Sequence, residues 1–149
     1  MKKIFLAALA VSVAFALSGC KGANEKRGDE HLENQRYRNA INSYLDALKK
    51  GKVSDEFYDN FTLALVRGAN IEAKSNINND LISGYCDKAA TNISKVQKPE
   101  VIEEFVTSYA TIGKQQAAQQ GLDYGSTLQA FAKIDTALSI AKRMNVGEA

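Results

Sequence analysis

The chain has 149 residues, 45% of them hydrophobic, and carries 19 basic against 17 acidic side chains. That length holds a leader and one domain with its own core, and a near-balance of charge with no basic stripe excludes the electrostatic footprint of a nucleic-acid-binding protein. One His, two Cys and one Pro provide no Cys/His set with zinc spacing and no disulfide framework, so stability has to come from packed helices.

Residues 1–19 read as a secretion signal. Lys2 and Lys3 precede an apolar run from Ile4 to Ala16, interrupted only by Ser12. The run matches the h-region of a signal peptide and falls short of the roughly 20 apolar residues that a spanning helix needs. It ends in Leu17-Ser18-Gly19-Cys20, which resembles the lipobox of bacterial lipoproteins. The resemblance implies that the Cys20 thiol attacks a lipid to carry a thioether-linked diacylglycerol, that cleavage precedes Cys20, and that the new amino group is acylated. Two or more acyl chains anchor a protein stably where one does not. Lys21 in place of Asp is similar to the outer-membrane sorting class. The expectation is a cell-envelope protein whose first partner is the membrane, with residues 20–28 as a lipidated tether and residues 29–146 as a helical domain.

Residues 29–34 form a short first helix with little but Leu32 to bury. Residues 37–50 are the best-patterned stretch: Tyr37, Ala40, Ile41, Tyr44, Ala47 and Leu48 make one apolar stripe of an amphipathic helix, stopped by Gly51. Ser54 is placed to cap the third helix, with Asp55 and Glu56 in its first turn and Phe57, Tyr58, Phe61, Ala64 and Leu65 on its inner face. A break is expected at residues 68–70. The fourth helix then carries Ile77, Leu81, Tyr85, Ala89 and Ile93, weakened by Asn76, Asn78, Asn79 and Gly84. Pro99 opens the fifth helix, which has a stripe of Ile102, Phe105, Val106 and Tyr109, a polar second half and a stop at Gly121. The sixth spans about residues 126–144 and is expected to turn Leu128, Phe131, Ile134, Leu138 and Ala141 to the core. The class is all-α: about six helices in antiparallel hairpins, since short connections make neighbours antiparallel.

The order Tyr37-x-x-Ala40-Ile41-x-x-Tyr44-x-x-Ala47-Leu48 resembles the second helix of a tetratricopeptide repeat, a 34-residue helix-turn-helix whose small residues allow close helix approach. Extended backwards, the register puts Gly28 at the family's first-helix Gly. A second repeat starts at Asp55, with Tyr58, Phe61, Ala64 and Leu65 in its first-helix positions. After Gly68 the pattern degenerates: Lys74 and Asn78 stand where a packing Ala and an aromatic belong. The resemblance implies a groove lined by first helices that holds a peptide or a partner helix. Carried over position by position, its partner-binding residues are Asp29 and Glu33 from the first repeat and Asp59, Leu63, Val66 and Arg67 from the second.

Residues able to do chemistry are sparse. His31 is the only His, and nothing near it in sequence makes it a base. Glu103-Glu104 and Asp55-Glu56 are adjacent pairs, which on a helix do not face one site. No GK[ST] phosphate loop occurs. With Cys20 lipidated, Cys86 is an odd thiol, read as a small apolar residue on a helix face, with an intermolecular disulfide as the alternative. The sequence therefore points to a lipid-anchored adaptor that holds another envelope protein, without an enzyme activity, cofactor or metal. The alternative is a structural or surface lipoprotein with no dedicated groove. An enzyme or a small-ligand carrier, the carrier with an apolar cavity bounded by Tyr44, Phe61, Tyr85 and Phe105, is a third.

Overall fold

The computed structural model describes residues 21–75, 79–118 and 124–144. The expected leader and lipobox with Cys20, and the expected roles of Ile77 and Gly121, lie outside the described residues. Within them run six α-helices: α1 (Ala23–Glu33), α2 (Tyr37–Lys49), α3 (Phe57–Ser75), α4 (Asn79–Asn92), α5 (Pro99–Ala118) and α6 (Tyr124–Met144), with a 3-10 turn at Ile93–Lys95. No strand occurs among the described residues. Helices α1 and α2, α3 and α4, and α5 and α6 pack as successive hairpins, and α3 also touches α1, α2 and α5, so it is the centre of the array. None of these helices is long and apolar enough to cross a membrane.

The expected stripe of α2 is the buried one: Ala40, Ile41, Tyr44 and Ala47 all face inward. Gly51 ends that helical stretch with φ +77°, a conformation that costs glycine little. Pro99 opens α5, where its missing N–H has no intrahelical partner to lose. An aromatic cluster fills the space between α2 and α3, with the Tyr44, Phe57 and Phe61 ring centroids 5.5–5.6 Å apart in tilted or edge-on geometries that suit ring quadrupoles.

Four expectations are corrected. Helix α1 begins at Ala23, inside the stretch read as a tether, because Glu25 and Gly28 are buried against the rest of the array. Lys21 is itself pinned, its Nζ lying 2.8 Å from Asp29 and 3.0 Å from Glu56. Ser54 does not cap α3; its N–H (3.1 Å) and its hydroxyl both donate to the Glu25 carboxylate. Residues 68–70 do not break α3, which runs unbroken to Ser75. Gly68 sits in mid-helix because a Cβ there would lie 3.1 Å from Ile41 Cδ1 and 3.3 Å from the Tyr85 ring. Its role is close approach, not termination.

The fourth correction concerns α6. Its buried residues are Ala130, Lys133, Ala137 and Ile140, whereas Leu128, Phe131 and Leu138 are 58%, 57% and 52% exposed. The reason is visible on α5. A Cβ on Gly113 would lie 2.8 Å from Ile134 Cγ1 and 2.9 Å from the Ala130 carbonyl oxygen. Gly113 lets the α6 backbone at Ala130 and Ile134 come close to α5, and this contact leaves Leu128, Phe131 and Leu138 turned outward. Helix α5 follows the same logic: Val101, Ile112 and Gln116 are buried beside Phe105 and Tyr109, while Ile102 and Val106 are only half-buried.

Gly28 and Gly84 give opposite expectations. A Cβ on Gly28 would lie 2.5 Å from the Tyr44 ring, which is buried and cannot yield, so Gly28→Ala is expected to destabilise by about 1–3 kcal/mol. Gly84 has nothing within 4 Å of its Cβ position, so Gly84→Ala should stabilise by about 0.5–1 kcal/mol through helix propensity. Urea-unfolding midpoints measure both, and a stabilised Gly28→Ala would contradict the packing.

Candidate functional site

Three acidic side chains tie the array together. Glu25, 1% exposed, holds the residue 54 backbone and hydroxyl and so fixes α1 to the loop before α3. Asp29 Oδ1 accepts from the Tyr44 hydroxyl (2.7 Å) and Asn60 Nδ2 (3.0 Å), while its Oδ2 takes Lys21 (2.8 Å). Asp59, 2% exposed, accepts the backbone N–H groups of Gln97 (2.8 Å) and Lys98 (3.1 Å) just before α5. Burial and the adjoining Asp29 carboxylate push the Tyr44 hydroxyl well above the usual phenol range, so it stays a donor.

The six side chains expected to line a groove are therefore not brought together as one open surface. Asp29 and Asp59 are engaged as just described. Val66 is buried in the core. Arg67 makes a forked pair with Glu104 of α5, Nε to Oε1 at 2.8 Å and Nη2 to Oε2 at 2.9 Å. One turn on, Asn70 Nδ2 donates to Ser108 Oγ at 2.9 Å. This polar seam joins α3 to α5. Of the six, Glu33 is exposed and Leu63 is half-buried outside that seam. Sequence register placed these residues on one helix face, but it carried no information on how closely α5 would cover that face.

Two concavities remain. One, of about 370 Å³, lies between the α1–α2 turn and α3 and is lined by Arg36, Tyr37, Arg38, Gly68, Ile71 and Glu72, among others. Ile71 is 50% exposed there. Gln35 in the turn holds φ 57°, a left-handed conformation uncommon outside glycine. Arg38 is locked onto Glu72 through Nε (2.7 Å) and Nη2 (2.8 Å), while Arg36 is exposed beside it. No motif in the sequence marks this groove. Its signal was Ile71, an apolar residue off the Phe61-Leu65 stripe. The other concavity, about 560 Å³, lies between α4, α5 and α6, with Asp80 and Asp87 on one wall and Lys133 and Tyr109 across from them.

Cys86 is a free, buried thiol, and burial pushes it up to about 12, the inert kind of cysteine. Among the described residues no three His, Cys, Asp or Glu side chains converge as a metal-binding group. No family model, curated protein or solved structure matches the chain.

Two measurements follow from these environments. Cys86 should resist iodoacetamide at pH 8 in the folded protein and react once urea unfolds it; native labelling at the unfolded rate would contradict its burial. The hydrogen bond from Arg38 holds the Glu72 carboxyl below its ordinary value of 4.5, against the opposing effect of burial. Because the folded value is depressed, this pair stabilises fully above pH 4.5 and its contribution is lost as pH falls through the lower folded value. The melting temperature of Glu72→Gln should therefore fall less steeply with acid than that of the wild type. Some slope should persist, since Glu56 and Asp46 are held down in the same direction by Lys21 and Lys49. Parallel acid limbs would remove Glu72 from the account.

Proposed function

We propose that this chain is a lipid-anchored cell-envelope adaptor that holds a partner protein on its helical body and catalyses no reaction. The observation that carries the binding half is Ile71, a large apolar side chain left half-exposed in a groove with a free arginine, on a body that otherwise hides α1–α5 apolar faces. An apolar anchor beside a charged clamp is the way helical grooves hold peptides and helices. The anchoring half rests on the lipobox at residues 17–20. Lys21 is ion-paired to α1 and to Glu56, so acyl chains on Cys20 would seat the body directly against the membrane, with no tether between.

The tetratricopeptide resemblance remains part of this reading. Support comes from the successive hairpins and from Gly28, whose missing Cβ admits the Tyr44 ring at the position the repeat register gives the family's first-helix Gly. The groove expected along α1 and α3 is not part of it. The internal engagement of Asp59, Val66 and Arg67 favours the alternative, a structural lipoprotein, for that face.

The test is in-cell cross-linking of the full chain, with Cys20→Ser and Ile71→Asp beside the wild type. Wild type is expected to partition with membranes, carry the extra mass of acyl chains and cross-link to a discrete protein. Cys20→Ser should lose the mass and the partitioning. Ile71→Asp should keep both, change stability by no more than about 0.5 kcal/mol as a surface substitution, and lose the cross-linked protein. Membranes that yield only lipid adducts would leave the structural reading in place. An unacylated, soluble wild type would end the proposal.

A further inference from the structure

Lys133 is a buried cation without a partner. Among the described residues four charged side chains are buried: Glu25, Asp59, Glu72 and Lys133. The three carboxylates are served, Glu25 by Ser54, Asp59 by the Gln97 and Lys98 backbone, and Glu72 by Arg38. Lys133 is 5% exposed and makes no ion pair or hydrogen bond among the described residues. Buried charges are ordinarily paired, because an uncompensated one is costly.

The missing partner has a place to sit. Lys133 lines the concavity of about 560 Å³ between α4, α5 and α6, a volume within the range of small-molecule pockets. Asp80, Ser83, Gly84 and Asp87 form the α4 wall, and their spacing of i, i+3, i+4 and i+7 puts all four on one helix face. A Cβ on Gly84 would meet nothing within 4 Å, so that wall stands clear of α6. Lys133 lies deep, close enough to the buried Cys86 thiol for its charge to act on it. Asp80 and Asp87 are exposed at the rim.

These charges define the occupant. Lys133 offers three donors and no acceptor, so the group that satisfies it is anionic. Asp80 and Asp87 accept from cationic donors, and their seven-residue separation is about 10 Å along the axis. Two amino groups joined by a short chain can approach both carboxylates, which a single ammonium cannot. The walls carry one positive and two negative charges, and a molecule with one carboxylate and two ammonium groups balances all three. A bare inorganic anion would suit Lys133 but meet repulsion from both carboxylates, and a diamine without a carboxylate would leave Lys133 unpaired.

We infer that the concavity between α4 and α6 is a binding site for a free basic amino acid, with its carboxylate on Lys133 and its amino groups toward Asp80 and Asp87. The site is separate from the Ile71 groove, and the inference does not rest on the adaptor reading.

The test uses the purified full chain in mild detergent, with L-lysine as the probe and calorimetry and thermal melting as readouts. L-Lysine is expected to bind with a submillimolar Kd and to raise the melting temperature, as a ligand specific to the folded state does. Cadaverine, which lacks the carboxylate, and ε-aminocaproate, which lacks the second amino group, should each bind about tenfold more weakly. Lys133→Met keeps the apolar stem and removes the charge, so its melting temperature without ligand should rise and L-lysine should no longer shift it. Asp87→Asn changes an exposed side chain, should fold as the wild type does by circular dichroism, and should weaken L-lysine about tenfold. A wild type that ignores millimolar L-lysine overturns the inference, as does binding that survives both substitutions undiminished. Cadaverine or inorganic phosphate binding as well as L-lysine would also overturn it, because the site would then read only one sign of charge.

Discussion

The Tyr44 ring lies against Gly28 with no room for a Cβ between them, and its hydroxyl reaches Asp29 one residue further along the same helix. Much of the N-terminal half depends on this contact. It fixes the separation of α1 and α2, and it orients Asp29 so that the carboxylate also collects Asn60 from α3 and Lys21 from the start of the chain. The ring edge then meets Phe57, and Phe61 closes the cluster. A single side chain thus serves as apolar filler, spacer and hydrogen-bond donor. Removing its hydroxyl would leave a part-buried carboxylate short of a partner, the costly half of the exchange.

Acidic residues do at the connections what caps do at helix ends. Glu25 and Asp59 are almost wholly buried, yet each accepts backbone N–H groups from a loop distant in sequence, at Ser54 and at Gln97 and Lys98. Buried carboxylates are tolerable when their lone pairs are filled in this way. The consequence for function is subtractive: Asp29, Asp59 and Arg67, charged side chains that a groove would have offered to a partner, are occupied in holding the helices together. The surface left open is apolar instead, at Ile71 and along α6.

Helix α6 shows where pattern reading fails. Its strongest apolar periodicity is Leu128, Phe131 and Leu138, and the natural inference sends that stripe inward. Close packing on Gly113 instead brings Ala130 and Ile134 against α5, and Ala137 is buried with them, because a glycine on the neighbouring helix lets the α6 backbone itself approach. A lone helix cannot reveal this, since the deciding glycine is on its neighbour. Gly68 misled for a related reason. A glycine in mid-sequence reads as a stop, whereas here it admits Ile41 and Tyr85.

The helical class, the α2 stripe, the Gly51 stop and the Pro99 start were legible in the amino-acid order alone. Each follows from local chemistry: a 3.6-residue period, a permissive φ, a missing N–H. Packing between helices sets which face of α6 is open, that α1 begins at Ala23, and that Asp59, Val66 and Arg67 serve the fold. Those outcomes depend on what a neighbouring helix brings to within a few ångströms, and a side chain's own position in sequence carries no record of it.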